Sequence, residues 1–180
     1  MATEVRATGE HTSIHPAARV GHVHLKVSDL DRSIAFYRDV LGFDVVQVVP
    51  GRMAFLSAGG YHHHVALNTR FSQGGTPPPP GHTGLFHVAF NFPSRRELAR
   101  AYRRVVAHGV EIQRASDHGV SEAVYFADPD GNGIEIFWDC PRETWPYLAD
   151  GTLNVAMSEP FDPATLLAEL DGEDDGGEAP

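Results

Sequence analysis

Residues 20–43 read VGHVHLKVSDLDRSIAFYRDVLGF. Val20–Val27 alternates in polarity, the period of a strand with one buried face. Asp29 follows as an N-cap. Leu30, Ile34, Phe36, Tyr37, Val40 and Leu41 then recur at helical spacing until Gly42, which supplies a left-handed stop. Three β-rich runs complete the unit: Phe43–Val49, Arg52–Ser57 and Tyr61–Thr69. The order of elements is therefore βαβββ.

The same order returns further along. Leu85–Phe92 (LFHVAFNF) is a strand, Ser94 an N-cap, and RRELARAYRRVVAHG a helix closed by Gly109. The runs Glu111–Ser116, Ala123–Ala127 and Gly133–Asp139 follow, the last two joined by the tight-turn sequence DPDGNG. Tyr37 and Tyr102 fall fifteen residues after His22 and His87 respectively. Between the copies lies RFSQGGTPPPPGHT (70–83), too rich in Gly and Pro for a helix or a central strand. The duplication predicts an α+β fold in which modules 18–69 and 84–148 form one domain, 18–148, with two sheets facing across a pseudo-twofold axis.

Residues 1–17 read as an N-terminal extension. Residues 149–180 read as an acidic, largely disordered tail with a short helix at 163–170. Asp162 would cap that helix, Pro163 would sit in its first turn, and Leu166, Leu167 and Leu170 would share one face.

The 180 residues carry 14 Lys+Arg against 24 Asp+Glu, a formal charge of −10, with no Lys or Arg after Arg142. A nucleic-acid binder needs a basic stripe, and the acidic balance argues against one. No apolar run is long enough to span a bilayer, and Met1–Pro16 lacks the apolar stretch of a signal peptide. A lone Cys140 forms no internal disulfide and fits a reducing cytoplasm. The eleven histidines are the feature that asks for chemistry.

Duplication gives two of them positional meaning, because His22 and His87 occupy the same place in the two first strands. Glu135 lies in the run GIEIFW, on the opposite face from Ile134 and Ile136. A carboxylate on so apolar a strand is costly unless paired or metal-bound. Two imidazoles and a carboxylate on rigid strands match the facial triad that holds non-haem Fe(II) and leaves coordination positions open.

The segments GHVHLKVSDLDRSIAFYRDVLGF, GLFHVAF and DPDGNGIEIFW resemble the vicinal oxygen chelate superfamily, which includes glyoxalases, extradiol dioxygenases and antibiotic-resistance proteins. The resemblance covers roughly residues 18–148 and implies an open, β-barrel-like cavity centred on a metal, with His22, His87 and Glu135 as ligands. Fe(II) is the implied cofactor, with Mn(II) as the alternative. Glyoxalase I-like members carry a second glutamate where this chain has Ala66. A three-ligand shell instead suits ring-cleaving enzymes that bind a catechol and O2. FLSAGGYHHHVALNT resembles their strand with a catalytic histidine three residues before the small residue, which selects His63. Simple alternation would place His62, His64 and Ala66 on one face and select His64.

The resemblance further assigns catalytic roles to His118 in DHGVSE and to Tyr125, ten residues before Glu135. His64 and His24 are the substrate-binding candidates. The implied activity is extradiol cleavage of a small catecholic substrate with O2, by a cytoplasmic homodimer with no nucleic-acid or membrane partner. The alternatives are a glyoxalase-type metal-dependent isomerase or lyase, and a non-catalytic drug-binding protein.

Overall fold

The computed structural model describes residues 13–171. The first module contains β1 (Val23–Lys26), α1 (Leu30–Ala35, continued as a π-turn over Phe36–Val40), β2 (Asp44–Val49), β3 (Met53–Ser57) and β4 (Val65–Asn68). The second contains β5 (Val88–Asn91), α2 (Arg95–Ala107), β6 (Arg114–Asp117), β7 (Ser121–Ala127) and β8 (Gly133–Asp139). The sheets run β1-β4-β3-β2 and β5-β8-β7-β6, and β1–β4 and β5–β8 are the parallel pairs. The two copies thus share one topology, in open sheets rather than a closed barrel.

Local chemistry sets the helix limits. Asp29 accepts the Arg32 amide, and Ser94 accepts that of Glu97. Gly42 ends the first helix at φ +84°, a conformation that suits glycine. The first helix differs from the regular one expected, because its last bonds widen: the Leu41 amide reaches the Phe36 carbonyl at 3.3 Å. On α2, Leu98, Ala99, Ala101, Tyr102 and Val105 are buried. Each large apolar side chain among them stabilises the fold by about 2 kcal/mol.

The modules are joined through the first helix. Phe36 packs on Phe126, and Phe43 meets Phe90 edge-on at 5.1 Å between ring centroids. The fully buried Tyr37 donates to Asp128 Oδ2 at 3.1 Å. Asp128 in turn accepts the Asp130 and Asn132 amides, which shapes the turn between β7 and β8. Asp130 accepts from the Ser28 amide and hydroxyl and from the Arg32 guanidinium.

Two features depart from the expected strands. The run Tyr61–Thr69 is a strand only from Val65, so the triple histidine lies in the connection leading into β4. The reason is that the chain is still reversing there: Gly59 and Gly60 take positive φ, and His64 Nδ1 accepts the Ala58 amide. Residues 149–171, within the segment expected as tail, carry β9 (Glu159–Pro160), paired antiparallel with β6 at the edge of the second sheet. A 3-10 helix follows over Pro163–Leu170, capped by Asp162, with Leu166 and Leu170 buried. Residues 172–180 of that tail, and residues 1–12 of the N-terminal extension, lie outside the described residues. No helix among the described residues is long and apolar enough to cross a membrane.

Candidate metal and catalytic site

Strand register lays the site out as a row. Across the second sheet Ala89 pairs with Glu135, Glu135 with Tyr125, and Tyr125 with Arg114. Residues opposite one another in a sheet share a face, so these four side chains project together. Across the first sheet the corresponding row is His24, Ala66, Phe55 and Gln47. The rows match position for position, and only the second holds a carboxylate and a phenol.

Glu135 is almost wholly buried. Its Oε2 lies 2.9 Å from His87 Nε2, and its Oε1 accepts from Tyr125 Oη at 2.8 Å. Tyr125 Oη also lies 2.9 Å from His118 Nε2. His118 Nδ1 is 2.7 Å from the Met157 carbonyl. A carbonyl oxygen only accepts, so Nδ1 carries a proton. Burial, then the hydrogen bond to Glu135, pushes the Tyr125 phenol up to about 12, and it stays a donor at neutral pH. The Arg114 guanidinium lies over the Tyr125 ring at 4.3 Å, a cation–π contact.

The remaining candidates gather on the first sheet. The His22 ring lies 4.5 Å from that of His63, which also meets Phe55 edge-on. Desolvation, followed by the surrounding imidazoles of His22, His62, His24 and His64, lowers the His63 pKa, so its ring is neutral at pH 7. His62 Nδ1 lies 2.8 Å from His63 Nδ1. His64 turns the other way: its Nδ1 is engaged by Ser57 Oγ and the Ala58 amide, and its ring faces Phe43. His24 Nε2 accepts from the Asn68 amide nitrogen at 2.8 Å.

Within one chain the three ligand candidates are divided. His87 and Glu135 adjoin in the second sheet, while His22 stands with His63 in the first. Among the described residues no group of three or more His, Cys, Asp or Glu is gathered to hold a metal ion. The single metal-centred cavity expected of the chain is therefore not assembled within one chain among the described residues; its candidates fall into two groups, each half of the expected set. Arg114 and the Met157 carbonyl were not foreseen. Arg114 sits in a run read only as strand, and a main-chain carbonyl carries no side-chain signal. Cys140 is half-buried, and burial with Glu122, Asp117 and Asp139 nearby raises its pKa, so it stays a thiol.

Residues 19–136 match the profile of the Glyoxalase/Bleomycin resistance protein/Dioxygenase superfamily. The chain belongs to this superfamily. Among its relatives is a catechol-2,3-dioxygenase of Bacillus subtilis (strain 168), 40% identical over 162 residues, or 90% of this chain and 55% of that protein. The chain thus spans about half the length of that relative. A biphenyl-2,3-diol 1,2-dioxygenase 3 of Rhodococcus globerulus is 35% identical over 133 residues, 72% of this chain and 70% of that one. Among solved structures of the superfamily's fold, a lactoylglutathione lyase from Agrobacterium tumefaciens superposes with a TM-score of 0.54 at 27% identity. The match covers 69% of this chain and 96% of that chain.

Proposed function

We propose that the chain is a non-haem Fe(II)-dependent extradiol dioxygenase that opens the ring of a catechol-type vicinal diol with O2. The observation that carries this reading is the line of contacts His118–Tyr125–Glu135–His87, a carboxylate and an imidazole beside a phenol and a second imidazole. The relatives named as catechol and biphenyl-diol dioxygenases support the substrate class.

The donor set fits the metal: His22, His87 and Glu135 are two nitrogen ligands and one oxygen ligand, a set suited to Fe(II) or Mn(II). Bound there, the metal would supply a template for both diol oxygens and for O2, and a path for electrons between them. His63, neutral at pH 7, would take a proton from a diol hydroxyl as a base and give it back as an acid later in the reaction. Tyr125 and His118 hydrogen-bond the substrate oxygen and hold the ring in one orientation. His64 is tied to Ser57 and Ala58, which supports His63 as the base and leaves His64, with His24, a role at the substrate's edge. Ala66 offers no fourth donor, which weighs against an isomerase or lyase of the glyoxalase type.

The two groups are joined in this reading by a second copy of the chain, His22 of one meeting His87 and Glu135 of the other. Each half lacks what the other holds, and an exposed aromatic ring lies near each: Phe86 beside His87 is 86% exposed and Tyr61 beside His62 is 42% exposed. The lone cysteine fits a reducing cytoplasm, and the acidic balance weighs against a nucleic-acid partner.

The test is anaerobic loading with Fe(II), followed by oxygen uptake and a yellow ring-opened product across a panel of catechols. Turnover of none of them, or equal activity with Zn(II) or Ni(II), overturns the assignment.

A further inference from the structure

The segment after β8 lies beyond residues 19–136, the part of the chain that matches the superfamily, and it closes over the loop that bears His118. Its course is fixed at several points. Trp145 Nε1 donates to the Cys140 carbonyl, and Tyr147 and Leu153 form an isolated bridge. Ser116 and Asp117 of β6 pair with Pro160 and Glu159 of β9, immediately before His118. Leu166 and Leu170 are buried in the core shared with α2. Arg95 of α2 ties the segment down from the side, bridging Glu122 of β7 and Glu169 of the 3-10 helix at 2.7 Å each.

Where the segment passes over the loop the fit is close. Gly119 has φ +71°, and a Cβ there would stand 2.6 Å from Met157 Cε and 2.8 Å from Pro146 Cγ. A side chain at residue 119 would strain the turn and force the Met157 methyl and the Pro146 ring aside, so glycine suits both the turn and the approach. At this point the Met157 carbonyl meets His118 Nδ1 at 2.7 Å.

We propose that residues 141–171 are a positioning strap, whose Met157 carbonyl holds His118 in the Nδ1-protonated form and so presents its bare Nε2 to Tyr125 and the substrate oxygen. A neutral imidazole carries one ring proton. With that proton committed to a main-chain acceptor, Nε2 is an acceptor by default. Tyr125 has a single hydroxyl proton and two acceptors within 2.9 Å, His118 Nε2 and Glu135 Oε1. The strap thereby makes His118 Nε2 a receiver, in competition with Glu135 Oε1 for the one phenolic proton. Met157 touches no reacting atom in this scheme and acts through His118. The inference rests on the catalytic reading of His118, but the tautomer it concerns is measurable without turnover.

The experiment compares the unaltered chain with the double variant Leu166→Ser/Leu170→Ser, which releases the strap, and with Glu169→Lys, which loosens it without touching the core. Long-range ¹H–¹⁵N correlation spectra report the proton on His118, and hydrogen exchange of residues 159–170 reports release. The wild-type ring shows the Nδ1-protonated form alone, and release turns it into a mixture. The kcat then falls about 10–100-fold, the usual effect of losing an orienting partner, with metal content and KM nearly unchanged. Should the double variant fail to fold, Glu169→Lys gives the same reading in smaller degree.

Protonation of His118 at Nε2 in the wild type, or an unchanged tautomer once exchange shows the strap free, overturns the proposal. A loss of metal in step with activity also overturns it, because the segment would then merely support the fold. If the wild type turns over no catechol, the dioxygenase reading falls while the tautomer result still decides the strap.

Discussion

Ala66 stands in the first sheet where Glu135 stands in the second. Each lies on the strand running parallel to its module's first strand, opposite His24 and Ala89 respectively. One half of the duplicated fold therefore holds the carboxylate, and the other offers a methyl group at the matching place. Glu135→Ala should abolish metal binding outright, a larger loss than the about 10–100-fold that removal of an outer partner costs. Ala66→Glu should tighten Zn(II) and Ni(II) binding while stopping oxygen uptake, because a fourth protein ligand fills a position O2 needs. Metal titration and oxygen consumption on the two variants check both.

His63 and His64 are neighbours in sequence with separate surroundings. His63→Ala should keep its metal and lose about 10²–10⁴-fold in turnover, the usual contribution of a general base. His64→Ala should keep most of its activity. It should instead melt earlier by an amount equivalent to about 1 kcal/mol, since the Ala58 amide and the Ser57 hydroxyl lose an acceptor. Metal analysis, steady-state kinetics and thermal melting separate the pair.

Division of the ligands between two sheets gives a test by mixing. His22→Ala and Glu135→Ala should each bind no metal alone. Refolded together, they should recover metal to about one quarter of the wild-type level, because random pairing makes half the dimers mixed and each mixed dimer has one intact site. A site assembled within a single chain recovers nothing. Light scattering on the same samples reports the dimer.

Asp130 fastens the start of the first helix to the turn between β7 and β8. Burial alone pushes its carboxyl up, but the Ser28 hydrogen bonds and the Arg32 guanidinium outweigh burial and hold it below the ordinary carboxylate range. A pKa depressed in the folded state contributes stability above the unfolded value of about 4, and that contribution is lost as pH falls through the folded value. Asp130→Asn should be less stable at neutral pH by about 1–3 kcal/mol and show a shallower decline in acid. Denaturant midpoints from neutral pH down to about pH 3 measure both slopes.

Much of this was legible in the chain because it is encoded locally. Asp29, Ser94 and Asp162 announce their helices by capping, and the spacing of His22, Tyr37, His87 and Tyr102 discloses the repeat. What escaped is long-range or carried by the main chain. The start of β4 at Val65 depends on how far the glycine turn runs before pairing begins. The edge strand β9 depends on a two-residue stretch finding β6 more than forty residues back. Arg114 reaches the site only through its register with Tyr125. No pattern of residue types told that the two histidines expected as ligands would stand on different sheets.

The bond from Tyr37 to Asp128 bears on whether either half of this molecule can exist by itself. A fragment ending in the proline-rich linker would leave the Tyr37 hydroxyl without its acceptor. A fragment beginning there would lose the group that grips the aspartate organising its own tightest turn. Each copy has thus given up its independence despite keeping the outline of a self-contained unit. The two should denature as one body in a single transition, and a protease that nicks the linker should leave the pieces clasped together.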